Sequence, residues 1–139
     1  MKQEFFVLEI ETSGQKLYEF TNSSKKWVKI NNLNNGILNL SIQHTSASLI
    51  VQENADPDVL IDLKNYFNKL VPMDNKLYVH TTEGKDDMPA HIKSALTNNQ
   101  ISISIKDGNL LLGTWQGLYL FEHRLEKQIR KVVHHFIGE

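Results

Sequence analysis

The spacing of apolar and polar positions changes repeatedly along this chain, and each spacing predicts an element. Glu4 to Glu11 (EFFVLEIE) is rich in aromatic and β-branched residues and predicts a strand, broken at Ser13-Gly14. Leu17 to Phe20 predicts a short second strand. Thr21 to Ser24 offers N-cap candidates for a short helix over Lys25 to Leu33, with Trp27 and Ile30 three apart. Asn31 to Gly36, with its repeated asparagines, predicts a turn. Ile37 to Gln43 sets Leu38, Leu40 and Ile42 against polar alternates, the period of two expected of a half-buried strand. Ala47 to Gln52 predicts a denser strand around Leu49-Ile50-Val51. Asp56 caps a helix with Pro57 at its first position, and Leu60, Leu63, Phe67 and Leu70 share one face up to Pro72. Leu77 to His80 predicts a short strand. A second helix follows, capped by Asp87 or Met88, with Ile92 and Leu96 inward and a stop at Asn98-Asn99. Ile101, Ile103 and Ile105 alternate, and Asp107-Gly108 signals a hairpin into Leu110 to Leu112. Leu118 to Phe121 and Lys131 to Ile137 complete the strands. The expected class is α+β: a mainly antiparallel sheet system with two or three helices on one face, in a single domain.

Composition narrows the chemistry. At 139 residues the chain buries roughly two thirds of its unfolded surface, enough for a core without cross-links. It has no cysteine, so disulfides, thiolate metal sites and cysteine nucleophiles are excluded, and any metal must use His, Asp or Glu. A net charge of −1 gives no electrostatic footprint for nucleic acid. No apolar run approaches the ~20 residues that span a bilayer, and Phe5 to Leu8 is too short for a signal segment. The expectation is a cytoplasmic protein with a small-molecule partner, no nucleic acid and no membrane.

Polar and reactive residues gather at the ends of the predicted strands. Gln43 to Asp58 is an apolar run bracketed by such groups. His44, His80 and His91 come from three separate elements. No two histidines have the one-turn spacing of a helical metal motif, so each reads alone as an isolated histidine and together as a shared site. Asp56 and Asp58 are accounted for by the helix start. Glu53 lies before the cap and is the preferred general base or metal-adjacent carboxylate; Asn54 orients a ligand or closes the turn. Glu83-Gly84-Lys85-Asp86-Asp87 is either a solvated loop or an anion- and cation-handling loop at a helix N-terminus. Gly113-Thr114-Trp115-Gln116-Gly117 permits close backbone approach, with Gln116 able to reach a ligand and Trp115 read first as core. Glu122-His123-Arg124 ends a strand with an acid, a base and a cation; Arg124 suits a phosphate or an ion pair with Glu122 or Glu126. His134 and His135 face opposite sides of a strand and cannot form one site.

His44-Thr45-Ser46-Ala47-Ser48, Glu53 to Val59, Glu83 to Lys93, and Gly113 to Gly117 with Glu122-His123-Arg124 closely resemble the YjbQ family, small bacterial and archaeal proteins labelled secondary thiamine-phosphate synthase. The resemblance covers essentially the whole chain. It implies an α+β homotrimer with a site at His44, His80 and His91 and a bound divalent metal, zinc or magnesium. It implies a transferase that joins a pyrimidine pyrophosphate to a thiazole phosphate and releases pyrophosphate. On that basis the expected catalytic residues are Glu53, His44, Glu122 and Arg124. The expected substrate-binding residues are Thr45, Ser46, Asn54, Asp86 and Gln116. A metal-dependent hydrolase or lyase on a small phosphorylated or carbonyl substrate, and a ligand-binding trimer without turnover, are the alternatives. An extended run of six residues separates the two ends of the His44–Asp58 stretch by roughly 20 Å, so one site needs a bend or a neighbouring subunit.

Overall fold

The computed structural model describes residues 1–139. Eight strands and three α-helices follow in the order β1 (Lys2–Ser13), β2 (Lys16–Glu19), α1 (Thr21–Ile30), β3 (Gly36–Ile42), β4 (Ala47–Glu53), α2 (Pro57–Leu70), α3 (Asp87–Leu96), β5 (Gln100–Lys106), β6 (Asn109–Leu110), β7 (Gln116–Glu122) and β8 (Lys127–Gly138). A single 3-10 turn, Asn75–Leu77, lies between α2 and α3. The strands form a five-stranded sheet, β1-β8-β3-β5-β6, and a three-stranded sheet, β2-β7-β4. Every pairing is antiparallel.

The two sheets face each other across the main core. Leu38, Leu40, Ile42, Ile103, Ile105, Val132 and Phe136 come from the larger sheet; Ala47, Leu49, Leu118 and Leu120 come from the smaller. Phe20, Val28 and Leu33 of the α1 region join this core. A second, smaller core lies on the other side of the small sheet. There Leu17, Tyr119 and Phe121 meet Leu60, Leu63 and Phe67 of α2. The result is a sheet–sheet–helix stack.

Strand parity within this stack decides where each polar residue points, because successive side chains leave a strand on opposite faces. In β7, Leu118, Leu120 and Glu122 face the large sheet, while Tyr119 and Phe121 face the helices. Both faces are covered, which is why Leu118 to Phe121 is an unbroken apolar run. In β8, Arg130, Val132, His134 and Phe136 are all buried, on the inward face.

Several elements differ from expectation. The α1 helix starts at Thr21, four residues before Lys25, and its N-cap position is Phe20, with no side-chain cap bond. Leu77 to His80 is not a strand; it is a 3-10 turn followed by extended chain with no sheet partner, and Val79 is fully exposed. The strand expected at Leu110 to Leu112 shrinks to Asn109–Leu110, paired only with Ile105 and Lys106. The last strand starts at Lys127, because β1 offers a partner along its whole length. Leu70 is 53% exposed and Leu96 57%; α3 docks instead through Pro89, Ala90 and Lys93. The Asp56 cap forms as expected, its side chain accepting from Asp58 N–H at 2.9 Å. The Asp107-Gly108 hairpin also forms, with both residues at positive φ as a type I′ turn requires. No helix is long and apolar enough to cross a membrane.

Candidate functional site

The small sheet fixes the distribution of candidate residues. Residue Ala47 of β4 pairs with Glu122, and Glu53 with Gln116. The strand is straight between them, so the two ends of the His44–Asp58 stretch stay roughly 20 Å apart within one chain. His44, Thr45, Ser46, Glu122 and Arg124 lie toward one end. Glu53, Asn54 and Gln116 lie at the other.

At the first end three donors converge. The imidazoles of His80 and His91 and the carboxylate of Asp87 place their ligand atoms within 4.8 Å of one another. Oδ2 of Asp87 is the centre, 2.7 Å from His80 Nε2 and 3.1 Å from His91 Nε2. Oδ1 of the same carboxylate accepts from Arg124 Nη1 at 2.7 Å. Glu83 adds a second carboxylate 3.1 Å from His80 Nε2. Asp87 and His91 are four apart on α3, so the helix puts both on one face.

Hydrogen bonding at His91 is informative. Its Nδ1 lies 2.9 Å from the carbonyl oxygen of Thr45, which can only accept. A neutral imidazole carries one N–H. With that hydrogen on Nδ1, the lone pair of Nε2 faces the Asp87 carboxylate. Only a cation between Nε2 and Oδ2, a proton or a metal ion, makes that contact favourable. A backbone carbonyl on one ring nitrogen and a ligand position on the other is the usual arrangement of a metal-bound histidine. Two imidazoles and one carboxylate are also a normal donor set for zinc and related divalent ions. The residues present therefore fit a divalent metal.

Electrostatics follow this geometry. The hydrogen bond that His80 donates to the Asp87 carboxylate raises the His80 pKa, despite the opposing effect of desolvation. Burial alone would raise the Asp87 carboxyl, but hydrogen bonds from His80 and the charges of His91 and Arg124 outweigh it and hold it low. Asp86 behaves alike: burial is opposed by the Leu125 N–H and by Arg124, and the carboxyl is held below its ordinary value.

His44 does not join the three donors. Its Nε2 accepts from the Lys131 N–H at 2.9 Å, and its Nδ1 faces Arg130 Nη1 at 3.4 Å. Burial, then the Arg130 charge, lower its pKa. A ring nitrogen already committed to a backbone donor is a poor metal ligand. His44 does share with His91 an open groove of about 240 Å³, with Thr45 and Ser94 on its walls. A larger open depression at Glu11–Ser13 and Lys127–Ile129 carries no histidine.

The remaining candidates have structural partners. Glu122 is fully buried and accepts from Thr12 Oγ1 at 2.6 Å, from Arg130 through Nε at 2.7 Å, and from the N–H groups of His123 and Arg124. Arg130 in turn donates to the Ser46 carbonyl and hydroxyl. Arg124 pairs with Asp86 and Asp87, not with Glu122 or Glu126. At the far end, Glu53 accepts from the Asp56 N–H at 3.3 Å, closing the turn before α2. Asn54 donates to Glu19 at 3.2 Å and Gln116 accepts from the Gly113 N–H at 2.7 Å. Trp115 is 62% exposed, against the reading of it as core.

Two residues escape a reading of the sequence. The sequence offers Asp87 as a helix cap or as part of a charged loop; its four-residue spacing from His91 is the signal that pairs the two on one helix face. Arg130 fell outside the expected last strand; once that strand is extended to Lys127, Arg130 stands as a lone cation on the buried face of β8.

Comparison with known proteins agrees with this fold. A family model described as UPF0047 protein YjbQ-like matches residues 6–139. A UPF0047 protein of Synechocystis is 50% identical over 133 residues, covering 96% of this chain and 90% of its own. The UPF0047 protein YjbQ of Salmonella typhimurium is 47% identical over 104 residues, 75% of each chain. A crystal structure of an uncharacterized YjbQ/UPF0047 protein from Clostridium acetobutylicum superposes with a TM-score of 0.87 at 33% identity, covering 95% of this chain and 99% of that one. By sequence over nearly its full length and by fold, this chain belongs to the YjbQ/UPF0047 family.

Proposed function

We propose that this chain is a divalent-metal-dependent enzyme acting on a small phosphorylated substrate, with His80, Asp87 and His91 as its metal ligands. The observation that carries the reading is the pair of acceptors facing His91, the Thr45 carbonyl and the Asp87 carboxylate, which leaves Nε2 a cation-binding lone pair. Three protein donors leave coordination positions for substrate, as in catalytic rather than structural sites. The metal would neutralise charge on a phosphate or pyrophosphate group. Chain residues supply the rest. Arg124 and the Thr45 carbonyl hold Asp87 and His91 in place. The groove beside His91, bounded by His44, Thr45 and Ser94, seats the substrate. Asp86, in ion pair with Arg124, supports the loop that carries Asp87 and does not itself meet the substrate.

The transferase expected from the family resemblance suits this chemistry, since its leaving group is pyrophosphate. The proximity of the exposed Glu83 carboxylate to His80 favours hydrolysis of a phosphorylated substrate as the second reading. A homotrimer completes the proposal. Phe5, Val7, Ile37, Ile129 and Ile137 are all exposed on β1, β3 and β8, an apolar face that a second subunit would cover.

The test begins with protein stripped by chelation and reloaded with Zn²⁺ or Mg²⁺. Formation of thiamine phosphate from the two precursors, or release of phosphate from simple phosphoesters, should require the added ion. His91→Ala should lower metal affinity by more than about 100-fold, beyond what loss of an outer-shell contact costs, whereas His44→Ala should leave it within a few-fold. Metal binding that depends on His44 and not on His91 would refute the ligand set.

A further inference from the structure

Arg124 bonds three of the five residues of the Glu83–Asp87 loop. Its Nε donates to Asp86 Oδ2 at 2.9 Å, its Nη1 to Asp87 Oδ1 at 2.7 Å, and its Nη2 to the Glu83 carbonyl at 3.1 Å. All three guanidinium nitrogens are engaged, and the side chain is 19% exposed. Asp86 is fixed a second time by the Leu125 N–H at 2.9 Å. The loop itself is tight. Gly84 sits at φ +106°, and a Cβ there would lie 2.9 Å from Asp86 Oδ1 and 3.8 Å from Arg124 Nη2. Arg124 lies two residues past the end of β7, whose last residue, Glu122, is buried and hydrogen-bonded between the sheets. The arginine therefore ties a loop with no sheet partner to the chain just after a buried strand.

This geometry has a consequence for the carboxylate of Asp87. With Oδ1 held by Arg124, rotation about the carboxylate is blocked and Oδ2 stays directed between the two imidazoles. Without the arginine the carboxylate is free to turn both oxygens toward the histidines or to leave them. The Glu83–Asp87 loop loses its only cross-link to β7 other than the Leu125 N–H.

We propose that Arg124 is a positioning residue for the metal centre: its planar guanidinium clamps Glu83, Asp86 and Asp87 so that Asp87 presents a single oxygen to the ion, and it is not the clamp for a substrate phosphate. The inference rests on the reading of His80, Asp87 and His91 as ligands. A lysine cannot replace it, because a single ammonium on a flexible stem does not match three acceptors in one plane.

The test is a calorimetric titration of metal-stripped protein with Zn²⁺, beside a Co²⁺ absorption spectrum that reports coordination geometry. The wild type should take one Zn²⁺ per chain. Arg124→Lys and Arg124→Ala should weaken Zn²⁺ by about 10–100-fold, the usual effect of losing an outer-shell partner, and should alter the Co²⁺ spectrum. Methylguanidinium added at millimolar concentration should restore much of the affinity of Arg124→Ala, which a general loss of folding would not allow. Should both variants unfold, Asp86→Asn, which loosens the Nε anchor, should still weaken Zn²⁺ several-fold. Unchanged Zn²⁺ affinity in the folded variants overturns the inference while leaving the ligand set standing. So does a variant that loses affinity for inorganic pyrophosphate and keeps its affinity for Zn²⁺, since Arg124 would then be an anion clamp. A wild type that binds no Zn²⁺ overturns both the inference and the ligand set.

Discussion

The buried pair Glu122–Arg130 offers a sharp test of whether Glu122 acts in chemistry or in folding. Glu122 is fully buried and Arg130 is 4% exposed. The carboxylate accepts from the Thr12 hydroxyl, from Nε and Nη2 of the Arg130 guanidinium, and from two backbone N–H groups. Glu122→Leu removes the acceptor of all those donors at once and leaves a guanidinium between two sheets with only Ser46 and His44 beside it. Breaking a buried ion pair by removing one partner costs about 3–5 kcal/mol. For a domain of this length that is roughly 10–20 °C in Tm. Against a typical total of about 5–15 kcal/mol, that is a large fraction of the margin that keeps the chain folded. The double variant Glu122→Leu/Arg130→Met should recover at least about 2 kcal/mol relative to the sum of the single variants, because no charge is then stranded. Urea denaturation at one fixed protein concentration measures both, since the stability of an oligomer depends on concentration. A Glu122→Leu protein within about 1 kcal/mol of wild type would refute the structural reading and return Glu122 to the catalytic candidates.

Acid stability carries a second expectation. Burial lowers His134 to about 4 from an ordinary 6.5, within a shell of Phe6, Phe20 and Trp27. Between those pH values the unfolded chain holds the extra proton, so stability falls as pH drops from 6.5 to about 4, by up to roughly 3 kcal/mol from this ring, and is flat in this respect above 6.5. Replacing His134 and its partner Ser24 together with Leu and Ala should shallow that acid limb in pH-dependent denaturation; an unchanged slope would contradict the assignment. A third expectation concerns Gly36, the first residue of β3. A Cβ there would lie 2.2 Å from the Ile137 carbonyl oxygen and 2.8 Å from Gly138 Cα, both backbone atoms that cannot rotate away. Gly36→Ala should therefore cost more than about 2 kcal/mol by thermal denaturation, and a neutral substitution would show that β3 and β8 do not approach so closely.

The local patterns determined a good deal by themselves. Period-two alternation identified β3, β5 and the two opposite faces of β8, because one face of each is dry and the other wet; which face of β8 turns inward came from the structure. The Asp56-Pro57 helix start and the Asp107-Gly108 hairpin were legible because their chemistry lies within three or four residues. The separation of Glu53 from His44 also followed from strand geometry alone. What tertiary structure decided was which side of a covered strand each polar residue faces, and which distant partner it meets there. Glu122 and His123 are adjacent in sequence, yet one enters the layer between the sheets and the other a buried site whose Nε2 meets Ser48, where burial lowers its pKa to about 3. The identity of the third donor at the proposed metal site was likewise hidden. His44 precedes a strand that pairs elsewhere, so the β8 backbone claims its Nε2, while Asp87, one helical turn before His91, also meets His80 of a separate segment and Arg124 thirty-seven residues later. Short-range spacing encodes elements; the meeting of side chains from β7, α3 and an extended segment depends on how the three layers stack, and no local pattern carries that information.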